Sequence, residues 1–192
     1  MKRTCTFFLF LLFFFLLLFF SLPLMAQQQK DPDLKDIIIT TSESQLILFA
    51  TVENGFTPEM IKGIRNGLPV TFKFHIELDK IRKAWFDATL VETSITHSVK
   101  YDSIKQEYSI TFSEQKGRIV TTRSLKEAQQ LMAELNGFPL IARRKLIADA
   151  PYALKIKATL AETTLPLGIH YILPFTSLWD FETDWRTVEF RY

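Results

Sequence analysis

The stretch PVTFKFHIELD, Pro69 to Asp79, alternates without a break. Val70, Phe72, Phe74, Ile76 and Leu78 fall on one side, and Thr71, Lys73, His75, Glu77 and Asp79 on the other. Successive side chains leave a strand on opposite faces, so this is a half-buried strand with one wet side, as antiparallel sheets have. Val91 to Tyr101 repeats the pattern, and Tyr108, Ile110 and Phe112 repeat it again after a turn at Asp102 to Lys105. Three such strands in sequence order predict a meander. Downstream, Tyr152, Leu154, Ile156, Ala158 and Leu160 alternate with Lys155, Lys157 and Thr159, and a last strand runs from Arg186 to Tyr192. The buried parallel strands of a Rossmann-like sheet would read instead as continuous apolar runs.

Working outward, Ile37 to Thr41 and Gln45 to Glu53 are strand-like, and the second has apolar residues on both parities. It is therefore expected to be covered on both faces. Thr57-Pro58 opens a first helix, with a capping hydroxyl followed by a residue that needs no amide hydrogen bond. Phe56 and Ile61 form a hydrophobic staple, and Gly67 closes the helix. Ser124 and Glu127 form the capping box of a second helix. Its stripe of Leu125, Ala128, Leu131, Met132 and Leu135 is expected to run to Asn136-Gly137. The fold class is mainly β with two short α-helices (α+β), an antiparallel sandwich or a strongly curved sheet with the helices on one face or edge. A single β-rich domain spans 37–192, after a flexible leader at 27–36.

The N-terminus decides the compartment. Lys2 and Arg3 precede an apolar run from Phe7 to Phe20, and Leu24-Met25-Ala26 precedes polar Gln27. This reads as a signal peptide over 1–26, with a retained membrane anchor as the alternative, and places the rest in the periplasm or at the outer face of the inner membrane. Gln27 stands where a lipoprotein needs cysteine. The chain holds 23 basic and 21 acidic residues. Two of the basic residues, Lys2 and Arg3, lie in the signal, so the remainder is neutral and offers no bulk charge for nucleic acid. Cys5 is the only cysteine and also lies in the signal, which leaves no thiol for disulfides, nucleophiles or metal.

Two aromatic stretches are the candidate sites. LWDFETDW, Leu178 to Trp185, puts Trp179, Phe181, Thr183 and Trp185 on one face of an extended segment and Asp180, Glu182 and Asp184 on the other. Alternate carboxylates on a strand stand roughly 6.6 Å apart, near the spacing of inverting glycosidases, about 6.5–9.5 Å. Those enzymes set their acids on opposite sides of a sugar, whereas these point in parallel. The preferred reading is a structural clasp, with a bend near 185–187 where the buried phase changes; a ligand surface comes second and a hydrolase last. Trp85-Phe86 sits in a basic connection, KIRKAWFD, and either tucks under the sheet edge, the reading preferred, or presents a contact patch. His75 belongs to a wet face and His97 to an apolar one, where a hydrogen-bonded core histidine is expected. Arg143-Arg144-Lys145 reads as a solvated loop, or as a contact for anionic lipid. No metal or cofactor is implied.

GLPVTFKFHIEL at 67–78, WFD at 85–87, Tyr101-Asp102, SLKEA at 124–128 and the closing Trp179, Trp185 and Phe190 stand in an order that resembles the DUF4390 family. The resemblance covers roughly 37 to 192. It implies an exported bacterial protein of unknown function with no catalytic residues to carry over, and an association with sensor histidine kinases. The expectation is a non-enzymatic protein-interaction module, accessory to a membrane sensor kinase. The alternative is a periplasmic lipid- or glycan-binding module with an apolar cavity.

Overall fold

The computed structural model describes residues 30–161 and 181–192. The signal segment, His170, Trp179 and Asp180 lie outside the described residues. Strands β1 (Asp33–Thr41), β2 (Gln45–Glu53) and β7 (Glu134–Ala142) form one antiparallel sheet in the order β1-β2-β7. The second antiparallel sheet contains β3 (Val70–Lys80), β4 (Ala88–Asp102), β5 (Glu107–Phe112), β6 (Arg118–Thr122), β8 (Pro151–Leu160) and β9 (Arg186–Arg191). Its order is β6-β5-β4-β3-β8-β9, so the meander of β3, β4 and β5 is present and gains β6. Neither sheet closes into a barrel.

Alternation dictates the core. The even positions of β3 are buried from Val70 to Leu78, as are Leu46, Leu48, Ala50 and Val52 of β2. Both sets belong to one hydrophobic cluster with Tyr152, Leu154, Ile156 and Ala158 of β8. Each large aliphatic or phenylalanine side chain among them contributes about 1.5–3 kcal/mol on leaving water, before chain entropy is counted. Helices α1 (Pro58–Arg65) and α2 (Leu125–Ala133) add Met60, Ile64, Ala128 and Met132 to the same cluster. Thr57 Oγ1 accepts from the Met60 amide and Ser124 Oγ from the Glu127 amide, so both N-caps form. The capping box is not reciprocal, because the Ser124 amide donates to Thr122 Oγ1, whose hydroxyl in turn donates to Glu127. Gly67 at φ +82° takes the left-handed turn that ends α1. The described residues from Asp31 to Tyr192 make one compact unit, and every core residue lies within it.

Three expectations need correction. Helix α2 stops at Ala133, and Glu134 onward is strand β7. Leu135 is buried as expected, but through pairing opposite Ala50 of β2. Gly137, at φ +79°, is skipped in the register between Phe138 and Asn136, so Asn-Gly makes a bulge rather than a helix cap. Strand β1 begins at Asp33, inside the expected leader, and Asp36 at φ +50° sits in the bulge that shifts its register. The odd positions of β2, Ile47 and Phe49 among them, are only half-buried, so one face of that strand is covered less than expected.

Candidate functional site

The connection between β3 and β4 is built from a buried carboxylate upward. Asp79 is 4% exposed at the base of this hairpin. It accepts hydrogen bonds from Lys155 Nζ and Thr89 Oγ1, each at 2.8 Å. Burial alone would raise its pKa, but these two bonds outweigh that cost and hold the carboxyl below its ordinary value. The same partnership raises the pKa of Lys155. Above the base, the Ile81 amide donates to the Pro151 carbonyl at 3.0 Å, and the Arg82 amide to Asp87 Oδ1 at 3.0 Å.

The tip of this braced hairpin holds the aromatic pair, with Trp85 76% and Phe86 87% exposed. The expectation that the pair tucks under a sheet edge is overturned. Strand β3 is interior, hydrogen-bonded to β4 on one side and β8 on the other, so the tip meets no free edge. At the same end, the 3-10 turn Arg143–Lys145 follows β7. The Arg143 amide donates to the Ser44 carbonyl, and its guanidinium to Tyr192 Oη at 2.6 Å. Ile147, 55% exposed, donates its amide to Tyr152 Oη, and Tyr152 pairs with Lys80 at the hairpin base. The turn and the hairpin come to one end of the fold because β8, which follows the turn, starts opposite the end of β3.

The described part of LWDFETDW divides between core and surface. Phe181 is buried, its ring 4.7 Å from Phe72, which also meets Phe56 at 4.8 Å. Thr183 is buried too, its hydroxyl accepting from the Ala158 amide at 3.0 Å. Thr159 pairs with Glu182, and Ile156 with Arg186. Two residues of β8 therefore oppose three of the C-terminal segment, which is a bulge, and a one-residue slip turns side chains to the other face. A change of phase is present, but it falls within 183–185, ahead of the expected 185–187. It places Trp185 not beside Phe181, as expected, but on the outer face of the sheet at 44% exposure.

There Trp185 meets His75 edge-on at 6.5 Å and Lys157 at 5.8 Å from its ring. Burial, with Lys73 and Lys157 nearby, lowers the His75 pKa, which keeps the imidazole neutral at neutral pH. His75 Nε2 lies 3.2 Å from Thr159 Oγ1. The groove beside it, about 320 Å³, is bordered by Glu77, Glu92 and Ser94. Glu182 is paired with Lys157, and Asp184 is exposed.

His97 is 1% exposed between Phe74 and Phe112. Its Nδ1 donates to the Met132 carbonyl at 3.1 Å, and its Nε2 faces Glu114 at 3.2 Å, a satisfied core histidine. An open cavity of about 420 Å³ lies alongside. Glu114, Arg118, Glu134 and Asn136 border it together with the apolar Phe112, Val120 and Leu131. Among the described residues no group of three or more His, Cys, Asp or Glu is placed to hold a metal ion, and no helix is long and apolar enough to cross a membrane.

Comparison with curated proteins and with solved structures returns no match. Residues 29–189 match the family model described as a domain of unknown function, DUF4390, and the chain belongs to that family.

Proposed function

We propose that the protein is a non-enzymatic interaction module of the cell envelope, exported by its N-terminal segment and acting at the outer face of the inner membrane. One observation carries this reading: two adjacent large aromatics stand in solvent on a hairpin whose base is braced by a buried carboxylate paired with a partly exposed lysine. Exposed aromatic side chains on a rigid element contribute most of the binding energy at many interfaces, because little entropy is lost when they are covered. The module docks by this end on a component of the membrane. The protein it serves there is a membrane protein, the sensing region of a sensor histidine kinase being the class that the resemblance suggests.

The test compares wild type with the Trp85→Ala, Phe86→Ala double variant. The variant is expected to leave native membranes for the soluble fraction and to lose its copurifying membrane protein, with Tm within about 2 °C of wild type. Unchanged membrane association, or a Tm loss of many degrees, would refute the reading and make the pair a structural feature.

A further inference from the structure

We infer that the surface met by the Trp85–Phe86 end is the anionic lipid bilayer itself. The inference rests on the docking reading above and names what is docked against. Strand pairing brings three segments to one end of the molecule: the hairpin tip after β3, the turn after β7 and the start of β8. The Ile81–Pro151 hydrogen bond, the Lys80–Tyr152 pair and the Ile147–Tyr152 bond hold them together. Three exposed apolar side chains project here, Trp85, Phe86 and Ile147.

Arg82 and Lys83 are exposed beside the aromatic pair, and Arg144 and Lys145 are exposed on the 3-10 turn at the same end, whereas the Arg143 guanidinium is held by Tyr192, Ser42 and Glu43. The acids at this end are fewer and mostly engaged. Asp79 is bonded to Lys155, Asp87 to the Arg82 amide, and Asp149 to Arg191 at 3.2 Å; Glu43 stands on the adjoining turn. From residue 27 onward the chain carries as many acids as bases, so this excess is local, a consequence of topology rather than composition.

An exposed Trp and Phe with free Lys and Arg side chains at the same end match the chemistry of a bilayer interface. Amphipathic aromatic rings settle at the headgroup level, and basic side chains are drawn to the negative surface. Trp85, Phe86, Arg144 and Lys145 are all exposed. A flat, deformable, negatively charged partner satisfies all of these groups at once. A protein partner would need a matching acidic pocket.

Sedimentation with vesicles tests this, using the chain from Gln27 onward, which keeps the whole compact unit. Phosphatidylcholine vesicles are compared with vesicles also containing phosphatidylglycerol. Wild type is expected to bind the mixed vesicles, and more weakly as salt rises. Trp85→Ala with Phe86→Ala should weaken binding by at least about tenfold. Arg144→Glu with Lys145→Glu should do so by about tenfold or more, on the anionic vesicles alone. Unchanged circular dichroism and Tm in both variants exclude unfolding as the cause. No binding to anionic vesicles, or binding indifferent to both variants, overturns the inference. If vesicles fail to bind while the aromatic variant still loses its membrane protein in native membranes, the docking reading stands and the bilayer does not.

Discussion

Replacing Phe181 with alanine separates the two halves of the LWDFETDW stretch. Phe181 is 6% exposed, and its ring packs 4.7 Å from Phe72, itself fully buried. Truncating a buried phenylalanine costs about 3–5 kcal/mol, as lost transfer energy plus the cavity left behind. The lower end applies here, because Phe181 borders the C-terminal segment, which can settle toward Phe72 and Phe56. In a domain of this size each kcal/mol moves Tm by about 2–4 °C, so a fall of about 6–12 °C is expected. Trp185, 44% exposed on the outer face, serves as the control. Trp185→Ala removes a half-solvated ring and one cation–π contact and should cost less than about 1.5 kcal/mol. Thermal melts followed by circular dichroism, on the chain from Gln27, measure both. A Phe181→Ala shift below about 2 °C, or a Trp185→Ala shift equal to it, would refute the bulge-driven division between clasp and surface.

Asp79→Ala removes two hydrogen bonds at the hairpin base, from a Lys155 ammonium and a Thr89 hydroxyl that both keep access to water; urea unfolding should show a loss of about 1–2 kcal/mol, and vesicle binding should fall as the tip loosens. Lys35 and Arg186 hold the Asp33 carboxyl down at about 2, the Arg186 contact tying β1 to β9 across the two sheets. A folded-state pKa below the unfolded value means this stability is present above about pH 4 and is lost as pH falls toward 2; urea midpoints of wild type should decline over that window more than those of Asp33→Asn. Gly67→Ala should cost about 1 kcal/mol at φ +82°, since the nearest heavy atom to the added Cβ, the Tyr101 carbonyl oxygen, lies at an ordinary 3.7 Å. A cost of several kcal/mol there would mean that sterics rather than backbone conformation set the penalty.

Period-two alternation was legible because each strand of the larger sheet has one wet face, so β3, β4, β5 and β8 could be read one at a time. Local caps were legible for the same reason: Thr57 and Ser124 act within a single turn. What stayed hidden depends on distant partners. Asn136-Gly137 fits a helix end and a strand bulge equally well, and only pairing with β2 decides between them. The Asp79–Lys155 lock joins residues far apart in sequence, and neither stretch alone reveals that a wet-face aspartate is buried. Strand β6 has an exposed edge and a short run, with Ile119 62% exposed, so its pattern carries little burial signal.

The two aromatic stretches are alike in composition and opposite in fate, and the difference lies in what flanks them. Phe181 follows β8 back into the core because Thr159 pairs with Glu182 and Thr183 completes the ladder; one extra residue then turns Trp185 outward over His75. Trp85 and Phe86 leave an interior strand, with β4 and β8 already occupying both of its edges, so the connection can only project. Composition alone would have assigned both stretches to the core or both to the surface. Strand order makes one a clasp and the other a tip, and it also brings the Arg143–Lys145 turn to the same end of the fold. The charge and aromatic character of this end therefore belong to the fold, and rearranging the β3–β8 pairing would disperse them without changing a single residue.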